Sequence, residues 1–354
     1  MAGPLAGLRI IEMGGIGPGP FAGMMLADHG AEIIRIDRKG FVPGPLDTMQ
    51  RSRKRIYLDL KAADDVKALR RLIVTADAIF EGFRPGAMER LGLGPDSLLE
   101  LNPRLVYARM TGWGQTGPYA PYAGHDLNYI SLSGAAHAVG PKDKPSPPLA
   151  LLGDLGGGGM VLAFSIVSAL LHAAKTGIGQ VIDCAMTEGS GLLMTAFYEL
   201  FNAGDWADAR ASNLLDGGAH FYNSYRTLDG KFVSIGPIEP QFYAEFLKRL
   251  GLSDDPEFQR QNDVELWPRL RERLDAIFAT KTRDEWCATL EFSDVCFAPV
   301  MSLAEAPHHP HSVARQAFVE VGGQIQPAPA PRYSRTSLDR PSLPTDVDIS
   351  SYIG

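Results

Sequence analysis

Short apolar runs alternate with amphipathic segments along the first half of the chain. Residues 8–13 (LRIIEM) form a run typical of a strand, GGIGPGP breaks the chain, FAGMMLADHG has helical spacing and AEIIRID is a second β-branched run. Further runs at IYLDL, DAIFEG and LVYARM are separated by polar helical patterns such as AADDVKALRRLIVTA. Strands that alternate with helices predict an α/β fold with a mostly parallel, Rossmann-like sheet.

The pattern changes near residue 187. Before it, the stretch Met160 to Ala174 predicts a buried helix and QVIDCAM (180–186) a strand; after it, TEGSGLLMTAFYELFNAG predicts a helix that leads away. SYRTLDGKFVSIG has a turn between two alternating runs, which indicates a hairpin, and QFYAEFLKRLGL, WPRLRERLDAIFA and RDEWCATL have amphipathic helical spacing.

These patterns predict four segments. We expect a large Rossmann-like domain over residues 1–186, a linker helix over 187–219, a smaller α+β domain over 220–310 and a return segment over 311–354 that packs on the large domain. The tail from Gln326 is rich in Pro, Ser and Arg, so it is expected to be extended.

Composition narrows the class of protein. A length of 354 residues suits two domains, and the net charge of −7 argues against a nucleic-acid partner. Three cysteines, Cys184, Cys287 and Cys296, fit neither a disulfide framework nor a thiolate metal site, and the N-terminus lacks the pattern of a signal peptide. The apolar stretch before residue 175 is shorter than a membrane span, so a cytoplasmic protein is expected.

The glycine-rich turn GGIGPGP is the first candidate site. Asp37 follows it at the spacing that holds a ribose in dinucleotide-binding folds. The third position of that fingerprint is Pro20 instead of a small residue, which favours a structural turn or a substrate-phosphate loop over NAD or FAD binding.

Asp154 precedes four glycines and an apolar helix in GDLGGGGM. An aspartate before a helix is a common N-cap, and that interpretation stays open. Four glycines in succession disfavour a helix interior, so they suggest a place where a ligand touches bare backbone N–H groups near a helix N-terminus. Asp154 is therefore also a candidate acid or base.

His125 ends a Gly/Tyr/Pro-rich loop and precedes a short helical run that Asp126 could cap. A lone histidine is commonly a surface residue, but a loop ending in Gly-His can present a group that takes and gives protons near neutral pH. The cluster His308, His309 and His311 lies in a proline-flanked segment without a matching carboxylate or thiol pattern, so no metal site is expected.

Cations cluster in this acidic chain. They are the run RSRKR at 51–55 with Arg35, Arg38, Lys61, Arg84 and Arg90. For each residue taken singly, a position on a solvent-exposed face is the simpler explanation. Taken together, these side chains could form an anion site for a nucleotide phosphate.

Several motifs together resemble one family. MAGPLAGLRIIEMGGIGPGP, RIDR, EGFRPGAMERLGLGP, ARMTGWGQTGPYAPYAGHDLNYISL, GDLGGGGM and IEPQFYA are similar to the bacterial α-methylacyl-CoA racemases within the family III CoA transferases, over nearly the whole chain. The resemblance implies a homodimer of interlocked subunits, with active sites between the large domain of one subunit and the small domain of the other.

The resemblance also assigns residues. It implies that His125 and Asp154 are the two bases and that Glu239 orients the histidine. The CoA-binding positions it implies are Arg38, Leu58, Asp59, Leu60, Lys61, Gly82, Phe83, Arg84, Arg90, Gly124, Asp126, Leu127, Asn128 and Tyr129. One departure is Ala150, which stands where the family pattern has an asparagine four residues before the aspartate.

The reaction expected from this resemblance is inversion of the α-carbon of a 2-methylacyl-CoA by proton transfer through an enolate, without cofactor or metal, in fatty acid metabolism. Two bases of similar proton affinity suit that reaction, and N–H groups near Asp154 could stabilise the enolate oxygen. Two alternatives remain: a CoA transferase on the same fold with Asp154 as nucleophile, and a non-catalytic acyl-CoA-binding protein.

Overall fold

The chain, seen in a computed structural model that describes residues 2–42, 44 and 48–353, forms two compact units. Unit 1 contains Met1–Ala135, Pro148–Thr195 and Val313–Gly354. Unit 2 contains Ala136–Pro147 and Ala196–Ser312. Residues 136–147, which the sequence pattern assigns to the large domain, therefore belong to unit 2, and the expected linker is divided between the units.

The strands follow the predicted order. In chain order they are β1 (Arg9–Met13), β2 (Glu32–Arg38), β3 (Lys54–Leu58), β4 (Ala78–Glu81), β5 (Val106–Thr111), β6 (Gln180–Ala185), β7 (Asn223–Arg226), β8 (Phe232–Ile235), β9 (Phe297–Val300), β10 (Phe318–Val321), β11 (Gln324–Pro327) and β12 (Thr345–Asp346). Unit 1 holds a seven-stranded parallel sheet in the order β12-β3-β2-β1-β4-β5-β6. The predicted α/β class with a parallel sheet is confirmed.

The helices also match the amphipathic segments. They are α1 (Pro18–Asp28), α2 (Ala63–Val74), α3 (Ala87–Arg90), α4 (Pro95–Leu101), α5 (Asp126–Leu132), α6 (Ala135–Ala138), α7 (Val161–Thr176), α8 (Met186–Leu193), α9 (Thr195–Ala203), α10 (Pro240–Leu250), α11 (Trp267–Phe278), α12 (Arg283–Leu290), α13 (Pro310–Ala314) and α14 (Ser350–Ile353). A π-helix, Leu151–Met160, runs directly into α7. The single helix predicted after residue 187 is two helices, because it breaks at Met194.

Both faces of the parallel sheet are covered, as its continuous apolar strands require. Ile10 of β1 points to one face, where α1 and α7 pack with Leu26 and Ile166. Ile11, the next residue, points to the other face, where Leu69 of α2 packs. The period-two alternation of side chains thus divides one strand between two cores.

Charged side chains lie beneath the carboxyl edge of the sheet. Glu12 is 0% exposed and binds Arg35 through one carboxylate oxygen and Arg53, at 2.9 Å, through the other. Arg35 also binds Asp37 at 2.9 Å, and Arg51 binds Asp28. Three of the cations that the sequence suggested for phosphate binding, Arg35, Arg51 and Arg53, are therefore buried in ion pairs instead.

The π-helix and α7 form one continuous helix, Leu151–Thr176. It is 26 residues long and contains an 18-residue stretch with a mean hydropathy of 1.7, so by length and composition alone it could cross a membrane. The apolar stretch is longer than the sequence estimate because the glycines are helical. Leu162, Ile166 and Ala169 of this helix are buried in the core of unit 1, which is typical of the central helix of a globular domain.

Unit 2 has its own core around a three-stranded antiparallel sheet in the order β7-β8-β9. The predicted hairpin is confirmed as β7 and β8, and the three predicted amphipathic helices are α10, α11 and α12. Aromatic side chains fill this core; Tyr225 stacks on Phe278, which meets Trp286 edge-on. The unit is held by apolar packing independently of the cores of unit 1.

The C-terminal segment returns to unit 1. Strands β10 and β11 form an antiparallel hairpin, and β12 pairs with β3 through Thr345 beside Lys54. Between these strands the chain is without regular helix or strand, as its prolines predict. The expectation of an extended tail is wrong only for its end, where α14 forms.

Candidate active site

A cavity of about 360 Å³ opens in unit 1 where several strands end, and we call it the inner cavity. It is lined by Met13 after β1, Gly82–Pro85 after β4, and Met110–Trp113 at the end of β5. Its other walls are the turn 15–19, residues Ala120, Tyr122–His125, Tyr129 and Asp154, with Phe80 and Met186. Ligands of open parallel sheets commonly bind at the carboxyl ends of the strands, so this is the place where a ligand is expected.

His125 is presented to the inner cavity from the start of α5. It is the N-cap residue of this helix, and its backbone N–H donates to the side-chain oxygen of Asn128 at 3.0 Å. Its carbonyl oxygen accepts from the N–H of Asn128 at 2.8 Å. The expectation that Asp126 caps the helix is wrong; Asn128 fixes the backbone of His125, and the imidazole remains exposed.

Asp154 lies in the fourth position of the π-helix, so the N-cap interpretation is wrong. The helix begins after Ala150, whose φ of 58° is in the left-handed region where asparagine is favoured over alanine. The N–H of Leu155 donates to Ala150 at 3.2 Å, one residue further than in an α-helix. The N–H of Asp154 donates to Oδ1 of Asp126 at 2.7 Å.

The glycines after Asp154 serve helix packing, and the expectation that they expose backbone to a ligand is wrong. A Cβ on Gly157 would come within 2.5 Å of the Ser190 nitrogen, and a Cβ on Gly158 within 2.8 Å of the Pro18 side chain. A Cβ on Gly189 would overlap the Gly157 carbonyl group. Helices α1 and α8 thus approach the π-helix closely, and this contact holds Asp154 in place.

The glycine-rich turn contacts Asp154 directly. Gly17 has a φ of 66°, and a Cβ there would come within 2.8 Å of Oδ2 of Asp154. Arg35 holds the turn from below by donating to the carbonyl oxygen of Gly15 at 3.2 Å. Asp37, the residue at ribose-binding spacing, is buried against Arg35, so the turn is a wall of the inner cavity rather than half of a dinucleotide site.

Electrostatics distinguish Asp154 from an ordinary surface carboxyl group. Burial raises its pKa, and the nearby charge of Asp126 raises it further. His125 acts in the opposite direction and lowers the pKa of Asp154. The net effect on Asp154 is a raised pKa, so its protonated carboxyl group is stabilised.

The residues assigned to CoA divide between two cavities of unit 1. Gly82, Phe83, Arg84, Gly124 and Tyr129 line the inner cavity. A second cavity of about 700 Å³, the outer groove, is lined by Leu60, Lys61 and Arg90 and by cationic and apolar residues of α2, α3 and α4: Ala63, Val66, Lys67, Arg70, Arg71, Val74, Leu91 and Leu101.

The remaining assigned residues line neither cavity. Arg38, at the end of β2, and Asp59, after β3, are exposed. Leu58 and Asp126 are buried, while Leu127 and Asn128 are exposed on α5. The structure therefore places the assigned CoA positions at neighbouring strand ends without bringing them all into one cavity.

Glu239 lies in unit 2, where it is the N-cap residue of α10 and exposed. Burial raises the pKa of Cys296, a residue of the same unit, and the charge of Glu239 raises it further. Its role beside His125 stays a prediction.

Sequence reasoning missed the aromatic wall. Trp113 packs against Tyr119 and Tyr129 with ring centroids 4.8 Å apart in each pair, and it lines the inner cavity with Tyr122. The phenol of Tyr129 donates to the carbonyl oxygen of Gly124, next to His125. The repeated tyrosines of the loop before His125 were a signal for this wall, since a polar surface loop rarely needs several large rings.

Metal ligands are not clustered in the described part of the chain. Among residues 2–42, 44 and 48–353, no group of three or more His, Cys, Asp or Glu side chains is arranged to hold a metal ion. This includes His308, His309 and His311.

Comparisons with known proteins agree on one family. The model of CoA-transferase family III matches residues 5–345. The chain is 44% identical over 350 residues to an α-methylacyl-CoA racemase of Mus musculus (98% of this chain, 91% of the relative) and 41% identical over 343 residues to that of Homo sapiens (96% and 88%). A crystal structure of a CaiB/BaiF family protein from Brucella suis superimposes with a TM-score of 0.85 at 26% identity (98% and 97% covered).

Gly17→Ala tests the contact between the turn and Asp154. The added methyl group would lie 2.8 Å from the carboxylate, and the positive φ adds strain, so we expect a loss of about 1–3 kcal/mol in the free energy of unfolding. Gly15→Ala is the matched control, because its Cβ meets only the Met13 carbonyl oxygen at 3.9 Å. Urea unfolding measures both variants, and equal losses would contradict a specific contact at Gly17.

Proposed function

The chain belongs to CoA-transferase family III, and from that premise we propose that it is an α-methylacyl-CoA racemase. The reaction inverts the carbon next to a CoA thioester by removing one proton and returning another. The observation that carries the proposal is that His125 and Asp154 line the same cavity, where the pKa of Asp154 is raised by burial. The names and identities of the mouse and human relatives support the same substrate class.

Racemisation requires a base on each side of the α-carbon. One base removes the proton and leaves an enolate, and the conjugate acid of the other base returns a proton to the opposite face. His125 and Asp154 take these roles and exchange them in the reverse direction. The raised pKa of Asp154 suits this work, because a carboxyl group of ordinary acidity would hold a proton too rarely to return it.

Negative charge on the thioester oxygen of the enolate must also be stabilised. The N–H of Asp154 is already bonded to Asp126, so it does not serve this purpose. Asp154 nevertheless lies in the first turns of a 26-residue helix, whose N-terminal end carries partial positive charge. We assign the stabilisation to that helix end, and neither a metal nor a cofactor enters the proposed steps.

CoA is assigned to the strand ends that carry cations. Arg84 lines the inner cavity beside the two bases, while Lys61 and Arg90 line the outer groove. Arg38 is exposed at the end of β2 and supplies a further charge. The thioester end would then lie in the inner cavity and the phosphates along these cations, in a chain whose net charge is −7.

We assign Glu239 to the site of a second copy of the chain, in a homodimer of interlocked subunits. As a positioning residue it would orient His125. Phe164, Leu171 and Leu192 of unit 1 are 57–74% exposed, and large apolar side chains exposed together on neighbouring helices are typical of subunit interfaces. The free cysteines fit a cytoplasmic protein, and the names of the mouse and human relatives support a place in fatty acid metabolism.

The competing function within the family is CoA transfer, in which Asp154 would attack an acyl-CoA and form a mixed anhydride. That chemistry needs only the carboxylate. His125 is a second base that CoA transfer does not use. Its presence in the inner cavity favours racemisation. An acyl-CoA-binding protein without catalysis would need neither base.

Paired variants of the two bases test the reaction. Wild-type protein dialysed against a chelator should exchange the α-proton of both epimers of a 2-methylacyl-CoA for deuterium and interconvert them. His125→Ala and Asp154→Ala should each abolish interconversion, while exchange is lost mainly for one epimer in the first variant and mainly for the other in the second. NMR of each pure epimer in deuterated water measures this. An anhydride trapped at Asp154 by hydroxylamine, without epimer interconversion, would establish the transferase instead.

Removal of single cations tests the CoA assignment. Arg84→Ala and Arg90→Ala should each weaken binding of coenzyme A by about 1–3 kcal/mol, and added salt should reduce the difference. Isothermal titration calorimetry gives the affinities. Lys248→Ala, which removes an exposed cation of unit 2, is the control for net charge. If all three variants bind equally well, the phosphates lie elsewhere.

Mixed dimers test the shared site. His125→Ala and Glu239→Ala should each be impaired alone, but co-expression of the two variants should restore about a quarter of wild-type activity, because half of the dimers then have one intact site. If both residues came from the same subunit, every site in a mixed dimer would carry a lesion. Activity that stays at the level of the separate variants would therefore refute the interlocked arrangement.

A further inference from the structure

Asp126 connects the two candidate bases by the shortest route in the structure. It follows His125 directly in the chain, and its Oδ1 accepts the backbone N–H of Asp154 at 2.7 Å. One peptide bond and one hydrogen bond therefore join the backbones of the histidine and the aspartate, which are 29 residues apart in sequence (154 − 125).

The surroundings of Asp126 are shaped to admit its carboxylate. The residue is 8% exposed, so the charge is largely withdrawn from water. A Cβ on Gly153 would overlap Oδ1 of Asp126, and Ile130 closes the other side at 3.1 Å from the same Cβ position. Only glycine at position 153 leaves room for the carboxylate to reach the N–H of Asp154.

We infer that Asp126 is a positioning residue that holds Asp154 opposite His125 and places a negative charge beside the backbone of Asp154. The inference rests on the proposed racemase function. It also gives Asp126 a role different from contact with CoA, since the buried carboxylate faces the π-helix.

Several ionisable groups face Asp154. From the start of α5 these are His125, Asp126 and Tyr129, and from the loop after β4 Arg84 faces the same cavity. The turn before α1 contributes no ionisable side chain, and Glu188 is the ionisable residue of α8. Burial raises the pKa of Asp154, Asp126 raises it further and His125 lowers it, so the charge of Asp126 acts against the effect of His125.

Asp126→Asn separates charge from geometry. The amide oxygen can still accept the N–H of Asp154, but the negative charge is gone, so the pKa of Asp154 should fall. Both directions of the reaction use the singly protonated pair of bases, and the dependence of kcat/KM on pH is therefore a bell whose limbs belong to the pair. Both limbs should move to lower pH in this variant.

Asp126→Ala removes the hydrogen bond as well as the charge. Its pH profile should move in the same direction, and kcat at the optimum should fall about tenfold or more below that of Asp126→Asn, because Asp154 is no longer held in place. KM for the acyl-CoA should change little in both variants. Glu188→Gln, which removes an exposed carboxylate of α8, is the control and should keep the wild-type profile.

The pH values at which the two limbs of the profile lie do not depend on the amount of active enzyme, so a partly unfolded variant still gives a valid profile. An unmoved profile in Asp126→Asn, with wild-type racemisation intact, would overturn the charge role, and equal kcat values in the two variants would overturn the positioning role. Titration of ¹³C-labelled aspartate carboxyls by NMR measures the same pKa shift without substrate. This titration supports or refutes the effect of Asp126 on the pKa of Asp154 even if the wild type proves not to be a racemase.

Discussion

The ion pairs of the fully buried Glu12 carboxylate with Arg35 and Arg53 are the interaction on which the site depends. The carboxylate accepts from Arg35 and Arg53, and these two side chains also bind the carbonyl oxygens of Gly15 and Pro20. The turn and the start of α1 are thereby tied to the middle of the sheet. A buried charge that loses its partner costs about 3–5 kcal/mol, so each member of this network holds the others in place.

Above that network, close backbone packing decides where the carboxyl group of Asp154 lies. Gly157 meets Gly189 of α8 with no room for a side chain, and Gly158 packs on Pro18. The π-helix adds a residue to the turn in which Asp154 sits, which changes the direction of its side chain relative to a regular helix. The position of the Asp154 carboxyl group thus depends on close glycine contacts in the next turn of the helix.

The local sequence pattern was sufficient to predict the strands and helices, but not the buried ion pairs of unit 1. The strands β1 to β6 and the hairpin of unit 2 were predictable, because apolar period and turn residues are properties of neighbouring positions. His125 and Asp154 were recognisable from residue type and motif. The burial of Arg51 and Arg53 was not, since their partners Asp28 and Glu12 are separated from them by 23 and 41 residues. The π-helix was missed for a related reason. Four successive glycines disfavour a helix in a local pattern, and only the close packing of α1 and α8, which are distant in sequence, explains why small residues are needed there.

The order of synthesis gives β12 an unusual position. This strand completes the edge of the parallel sheet beside β3, yet about 290 residues, including all of unit 2, are made between the two. On the ribosome, β3 and the apolar face that Val347 and Ile349 later cover must wait until these two residues have been made. Unit 2, whose second segment ends at Ser312, can fold in the meantime. The residues made after unit 2 are therefore the ones that complete the sheet begun before it, and a chain interrupted before them would leave that sheet edge open to other strands.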